Sequence, residues 1–289
     1  MIIRDEKHPI KKVSGFRTKF TGVRDYDYLM SLMNIDGTEM NYIGKTSDGG
    51  YSMFSLTYGD ISGKTLILNG GLHGGTEWLS VYYCLEIFRA LCNPEQYPAQ
   101  RKELELIRNA YDGILYFPSG NPWGFNNGAR GNYLGVDLNR DFTSSPSSQE
   151  AINLINEICR VGSPEILIDC HERSSMGASI ASVDTMNGLD SHYSDKIYTA
   201  IRYISELMGG EMGKYHGLGG AANGEMRRWS INTLRNSRNE RTNSYIIESG
   251  NRNDINDLQM NFLRGLNSIF AILLAYHLPL NHMTNYIGD

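Results

Sequence analysis

Apolar residues along the chain fall into two kinds of run, and the two kinds alternate. Lys64-Thr-Leu-Ile-Leu-Asn69, Gly113-Ile-Leu-Tyr-Phe-Pro118, Glu165-Ile-Leu-Ile-Asp-Cys170 and Asn243-Ser-Tyr-Ile-Ile-Glu248 are short and almost wholly apolar. Runs of that length, closed by Gly, Pro or a polar residue, predict strands buried on both faces. Tyr51 to Tyr58 alternates and predicts a further strand, and Ala178 to Val183 is another candidate. Between these lie stretches with helical spacing. Residues 25–34 place Tyr28, Leu29, Leu32 and Met33 on one side. Thr76 to Ala90 reads as a long amphipathic helix, and Pro98 to Ala110 as a second with Pro98 in its first turn. Ser148–Val161, Asp190–Met208 and Asp254–Tyr276 complete the set, and 209–224 is Gly-rich and irregular. Strands alternating with helices predict an α/β fold: one domain with a mixed, mostly parallel central sheet and helices on both faces.

The bulk composition narrows the function classes. The 289 residues suffice for a single large domain, with a core over about 25–276, and no repeat or linker divides them. A net charge of −5 argues against nucleic-acid binding. No apolar run approaches the roughly 20 residues that span a bilayer, and the charged N-terminus has no signal-peptide core. Cys84, Cys92, Cys159 and Cys170 follow no disulfide or CxxC pattern, and the first two suit buried thiols in a helix. The expectation is a reducing, cytoplasmic protein with no membrane partner. A further expectation is that no N-terminal segment of the length a folded pro-domain needs is present.

The candidate chemistry sits where the buried strands stop. Gly70-Gly-Leu-His-Gly-Gly-Thr-Glu-Trp78 follows the first, Asp169-Cys-His-Glu172 ends another, and Ile246-Ile-Glu-Ser-Gly250 ends a third. In open α/β sheets, sites form beyond those ends. The 119–147 stretch, rich in Gly, Asn and Pro and carrying Gly135-Val-Asp-Leu-Asn-Arg-Asp-Phe142, is long enough to be functional. A catalytic zinc takes three protein ligands and one open position. His73 and Glu77 on one turn, with His171 from a distant strand, supply such a set, and Asp169 can orient a neighbour from behind. Singly, each has a structural reading: His73 as a helix cap, Glu77 as dipole compensation, His171 as an isolated strand-end residue. Jointly they read as a site for one Zn2+ ion. His8, His192, His277 and His282 have no partner pattern, and the sequence leaves His216 open.

These residues resemble the zinc metallocarboxypeptidase family of the carboxypeptidase A/B type. The 70–78 run looks like its His-x-x-Glu motif, Asn121-Pro-Trp-Gly124 its Asn-Pro-x-Gly loop, and Arg130 with Gly135–Arg140 its arginine and Asn-Arg clamp. Asp169–His171 resembles its third ligand, and Tyr245–Glu248 the strand carrying its catalytic glutamate. Two departures stand out. His73 and Glu77 are separated by three residues instead of two, so the Gly74-Gly75 turn must absorb one. The family's tyrosine two residues after a tryptophan is also missing: Trp229 is followed by Ser230 and Ile231. Tyr215 and Tyr245 are the substitutes to consider.

The resemblance implies a hydrolase, a metallopeptidase that removes a C-terminal residue by attack of metal-activated water. Glu248 would be the general acid/base, its acidity weakened by the flanking Ile246 and Ile247. Arg130 would stabilise the oxyanion, and Asn139 and Arg140 would hold the substrate's free carboxylate. Arg140 paired to Asp137 or Asp141, and Glu248 paired to an arginine, are the structural alternatives. Arg227, Arg228, Arg235, Arg238 and Arg241 crowd the segment that helps line the family's side-chain pocket. They raise acidic side chains, such as glutamate tails or peptidoglycan-type peptides, as substrates, with a solvated basic face as the plain alternative. Two rival functions remain: a zinc deacylase of small acyl-amino acids, like the aspartoacylase branch, and an inactive carboxypeptidase-like binding domain.

Overall fold

The structure is a computed structural model that describes residues 13–172, 179–182, 222–249 and 258–277. The sequence-predicted helix over 190–208, most of the Gly-rich stretch after it, and the candidates His8, His192, Tyr215, His216 and His282 lie outside the described residues.

Among the described residues, seven strands form one sheet in the order β1-β2-β4-β3-β5-β7-β6. They are β1 Thr38–Lys45, β2 Ser52–Gly59, β3 Lys64–Gly70, β4 Gly113–Phe117, β5 Ser163–His171, β6 Ser179–Ser182 and β7 Asn243–Glu248. The four central strands β4, β3, β5 and β7 are parallel, whereas β2 and β6 run against their neighbours. The central strands are the uninterrupted apolar runs, because a parallel strand is covered on both faces. Alternate residues divide between two cores. Leu66, Leu68, Ile166 and Ile168 join the larger, and Ile67, Leu115 and Leu167 the smaller. Edge strand β1 escapes the apolar pattern because its residues are all half-buried or exposed.

Described helices are α1 Tyr26–Ser31, α2 Leu79–Cys92, α3 Arg101–Arg108, α4 Pro122–Asn127, α5 Gln149–Ile158, α6 Met226–Thr233 and α7 Leu258–Ala275. α2 buries residues all around its circumference because it lies between the sheet and α7. Each fully buried large apolar side chain there stabilises by about 1.5–3 kcal/mol. α5 packs Leu154 and Ile158 into the smaller core on the opposite face.

Several boundaries differ from the sequence reading. Pro98 lies ahead of α3, in a turn where Gln100 N–H donates to Tyr97 O. The Gln100 side chain is drawn away to Gly15 O at 2.7 Å, so it does not cap the helix. The stretch from Thr76 splits into a 3-10 turn over Gly74–Glu77 followed by α2. The 119–147 loop contains α4, started by the Asn121 side chain accepting from Gly124 N–H and by Pro122 in its first turn. The expectation that no run is long and apolar enough to span a bilayer is corrected by α7, whose 18 residues have mean hydropathy 1.3. In this fold α7 is a core helix, 72% buried and packed on α2.

Candidate metal centre

The C-terminal ends of β3, β5 and β7 meet at one edge of the sheet. Asn69 on β3 is level with Asp169 on β5, and His171 on β5 is level with Glu248 on β7. Past Gly70 the chain turns sharply into the 3-10 segment. Gly74 has φ +44°, and a Cβ there would meet the Gly124 carbonyl carbon at 2.5 Å; one on Gly75 would meet Gly128 Cα at 2.3 Å. The two glycines therefore let α4 press against the turn, tied by Gly75 N–H to Ala129 O at 3.0 Å. The extra residue between His73 and Glu77 is absorbed there, with both side chains buried and facing each other.

His73 Nδ1 lies 2.8 Å from Glu77 Oε1 and 3.1 Å from His171 Nδ1, and His171 Nδ1 lies 2.8 Å from Glu77 Oε2. One donor atom from each of the three residues falls within 4.8 Å of the others. Two imidazole nitrogens and a carboxylate oxygen, buried and converging, are the donor chemistry of a three-ligand metal site. The nitrogens pointing away are held as well. His73 Nε2 is 3.0 Å from Asp137 Oδ1, and His171 Nε2 is 2.8 Å from Asp169 Oδ2. Such outer carboxylates orient imidazole ligands and turn the remaining lone pair to the ion. Asn69 Nδ2 donates to the other Asp169 oxygen at 2.8 Å.

The charges are strongly coupled. Burial alone would raise the Glu77 pKa, but hydrogen bonds from His171 and His73 outweigh it and hold the carboxyl well below its usual range. Asp137 behaves alike, with His73 and Arg130 overcoming partial burial. Burial would lower the His171 pKa, yet Asp169 and Glu77 hold it well above its ordinary value. Burial pushes Glu248 up, the charge of His171 opposes this, and the carboxylate of Glu77 adds to the rise.

Arg130 stands at the mouth, its Nη1 3.1 Å from Glu77 Oε1 and its Nη2 3.0 Å from Asp137 Oδ2. Asn139 is buried, with Nδ2 3.3 Å from His171 Nε2 and Oδ1 accepting Met226 N–H at 3.0 Å. Arg140 is half exposed. Its Nη1 donates to Asn139 O at 2.6 Å and lies 3.6 Å from Glu225 Oε1, so its acidic neighbour is Glu225 and neither Asp137 nor Asp141.

Two residues with clear parts in this arrangement had no such part assigned in the sequence. Asp137 was named only as an alternative partner of Arg140, and Glu172 was visible only inside Asp169–Glu172; nothing local marks whom they meet. Two expectations fail. Tyr245 cannot replace the missing tyrosine, because its ring is buried in the core with its hydroxyl on that of Tyr276. The arginine cluster does not form one pocket wall. Arg227 is buried on Glu225, and Arg238, paired with Glu240, borders a separate cleft of about 460 Å³ with Lys64, Glu165 and Asn243 at the other ends of the strands.

This sheet, with helices on both faces and a His-Glu-His group at its C-terminal edge, is the metallocarboxypeptidase fold. A metallo-carboxypeptidase from Burkholderia cenocepacia superposes with TM-score 0.63 at 16% identity, covering 90% of this chain and 68% of that one. Bovine thrombin-activatable fibrinolysis inhibitor, solved in complex with tick carboxypeptidase inhibitor, gives TM-score 0.61 at 15% identity, covering 86% and 93%. No protein-family model and no curated protein matches the sequence.

Proposed function

We propose that this chain is a zinc-dependent carboxypeptidase, a single catalytic unit over residues 1–289 that removes the C-terminal residue of a peptide. The observation that carries this reading is the convergence of His73, Glu77 and His171, each outward imidazole nitrogen backed by a carboxylate. These three residues would hold one Zn2+ ion. When bound, zinc supplies Lewis-acid chemistry that makes water a nucleophile near neutral pH.

The remaining steps belong to the protein. Glu248 takes the proton of the attacking water and delivers it to the leaving amine; its raised pKa suits a group that must first act as the base. Arg130, exposed enough to swing from Asp137, donates to the oxyanion that develops on the scissile carbonyl. Arg140 pairs with the substrate carboxylate. Asn139 lines the same end, with its amide fixed by Met226 and His171. Four free cysteines, three of them buried, support a reducing, cytoplasmic setting.

The test is hydrolysis by the zinc-loaded protein of a panel of peptides with free and with amidated C-termini, alongside N-acyl amino acids. Release of single C-terminal residues from free-carboxylate peptides, abolished in a Glu248→Gln variant that still binds zinc, is the expected result. Turnover of N-acyl amino acids alone, or undiminished turnover by Glu248→Gln, would overturn it.

A further inference from the structure

α2 starts without a cap of its own. Trp78, at its N-cap position, has helical angles and makes no side-chain cap bond. The first N–H groups of a helix need acceptors from elsewhere. Leu79 N–H finds one on β5: it donates to Glu172 Oε1 at 2.6 Å. The same residue works in the opposite direction as well, its backbone N–H donating to Glu77 Oε2 at 3.1 Å. This is the reciprocal logic of a capping box, divided between two elements far apart in sequence.

The location of this clasp gives it a second consequence. Glu172 follows His171, and Leu79 lies two residues beyond Glu77, so the two bonds join the segments bearing two of the three converging donors. The β3–β5 ladder cannot do this, because its register ends at Gly70 and Cys170, ahead of both. The 3-10 turn contains two glycines, and its backbone bond from Gly75 N–H to Ala129 O runs to the segment after α4. Tyr83 hydroxyl, one turn into α2, donates to His171 O at 2.7 Å and fixes the body of the helix. Glu172 is the bond at the helix start, where Glu77 leaves it. Its side chain is 2% exposed, so water does not compete for the contact.

We propose that Glu172 is a positioning residue: it holds the first turn of α2 on the end of β5 and thereby keeps Glu77 at the spacing from His171 that a shared ion requires. The inference rests on the metal reading above. It assigns a part to the last residue of the Asp169-Cys-His-Glu172 run, and it explains how a turn lengthened by one residue keeps its carboxylate in register.

The experiment compares wild type with Glu172→Gln, Glu172→Asp and Glu172→Ala. Each is stripped with a chelator, and zinc affinity is then read by competition with a chromophoric chelator, with circular dichroism of the metal-free protein as the check on folding. Gln keeps an acceptor at the same reach, so its affinity should stay within about threefold of wild type, whereas Asp, a methylene short, and Ala should lose about 10–100-fold. Folded Asp or Ala variants with wild-type affinity would overturn the proposal, as would a Gln variant as weak as Ala, which would make charge the agent. If Ala fails to fold, the Asp and Gln pair decides. A wild-type protein that binds no zinc would bring down the metal reading itself, a result distinct from equal affinities across the series.

Discussion

His73 and His171, 98 residues apart in sequence, present their Nδ1 atoms to each other at 3.1 Å while Asp137 and Asp169 hold their Nε2 atoms from behind. Two rings tied in this way have their tautomers decided by the carboxylates. Their Nδ1 atoms are left to converge with Glu77 on one point.

Zinc should therefore bind the folded chain and stabilise it. At a free zinc concentration 100-fold above Kd the gain is about 2.7 kcal/mol, if the unfolded chain binds none. Thermal unfolding of the chelator-treated protein, followed with and without added zinc, should show an upward shift in Tm that His171→Ala abolishes. An identical Tm in both conditions would count against the site.

Asp137→Asn should weaken zinc binding about 10–100-fold, because the partner that orients His73 is lost. Asp137 also receives Arg130, so turnover at saturating zinc should fall as well. Metal titration and steady-state kinetics on the same preparation separate the two effects.

Gly75→Ala should destabilise the protein by about 1–3 kcal/mol. The new Cβ would meet Gly128 Cα at 2.3 Å, a backbone atom unable to step aside. Urea unfolding gives the change in stability. The same substitution at Gly49, where a Cβ would meet nothing within 4 Å, serves as a spatially open control whose cost is set by its φ of +72° alone.

Asp141 makes a pH prediction with a definite sign. Burial pushes its pKa up, but Ser147 and Ser148, through backbone N–H and hydroxyl groups, outweigh burial and hold it below the ordinary value. A carboxyl with a depressed folded pKa contributes stability above its unfolded pKa of about 3.9 and loses it as pH falls toward the folded value. Asp141→Asn should therefore be less stable than wild type at pH 7, by on the order of 1–3 kcal/mol. The gap should narrow below about pH 4. Urea midpoints at several pH values test this; a gap that widened with acid would refute it.

The four parallel strands and α2, α5 and α7 were legible because they bury apolar side chains on both faces or along one side, and burial writes itself into local composition. Strand β1, α4 and α6 were not, since edge strands and short helices depend on contacts their own residues do not reveal. The same division runs through the candidate site. His73, Glu77, Arg130, Asn139, Arg140, His171 and Glu248 are each marked in the sequence by a motif at a strand end or in the long loop. Their partners are not: Asp137 on His73, Glu172 on Leu79, and Glu225 near Arg140 are meetings between segments that no periodicity relates.

By itself, the sequence determined which residue types stand at the ends of the central strands, because strand and turn chemistry are local. Tertiary structure alone decided that the imidazoles meet through Nδ1, that the lengthened Gly74-Gly75 turn still brings Glu77 to them, and that Arg238 lies at the far end of the sheet. Distances between side chains remote in sequence depend on how the strands are ordered and how closely α4 can approach the turn, and those are properties of packing.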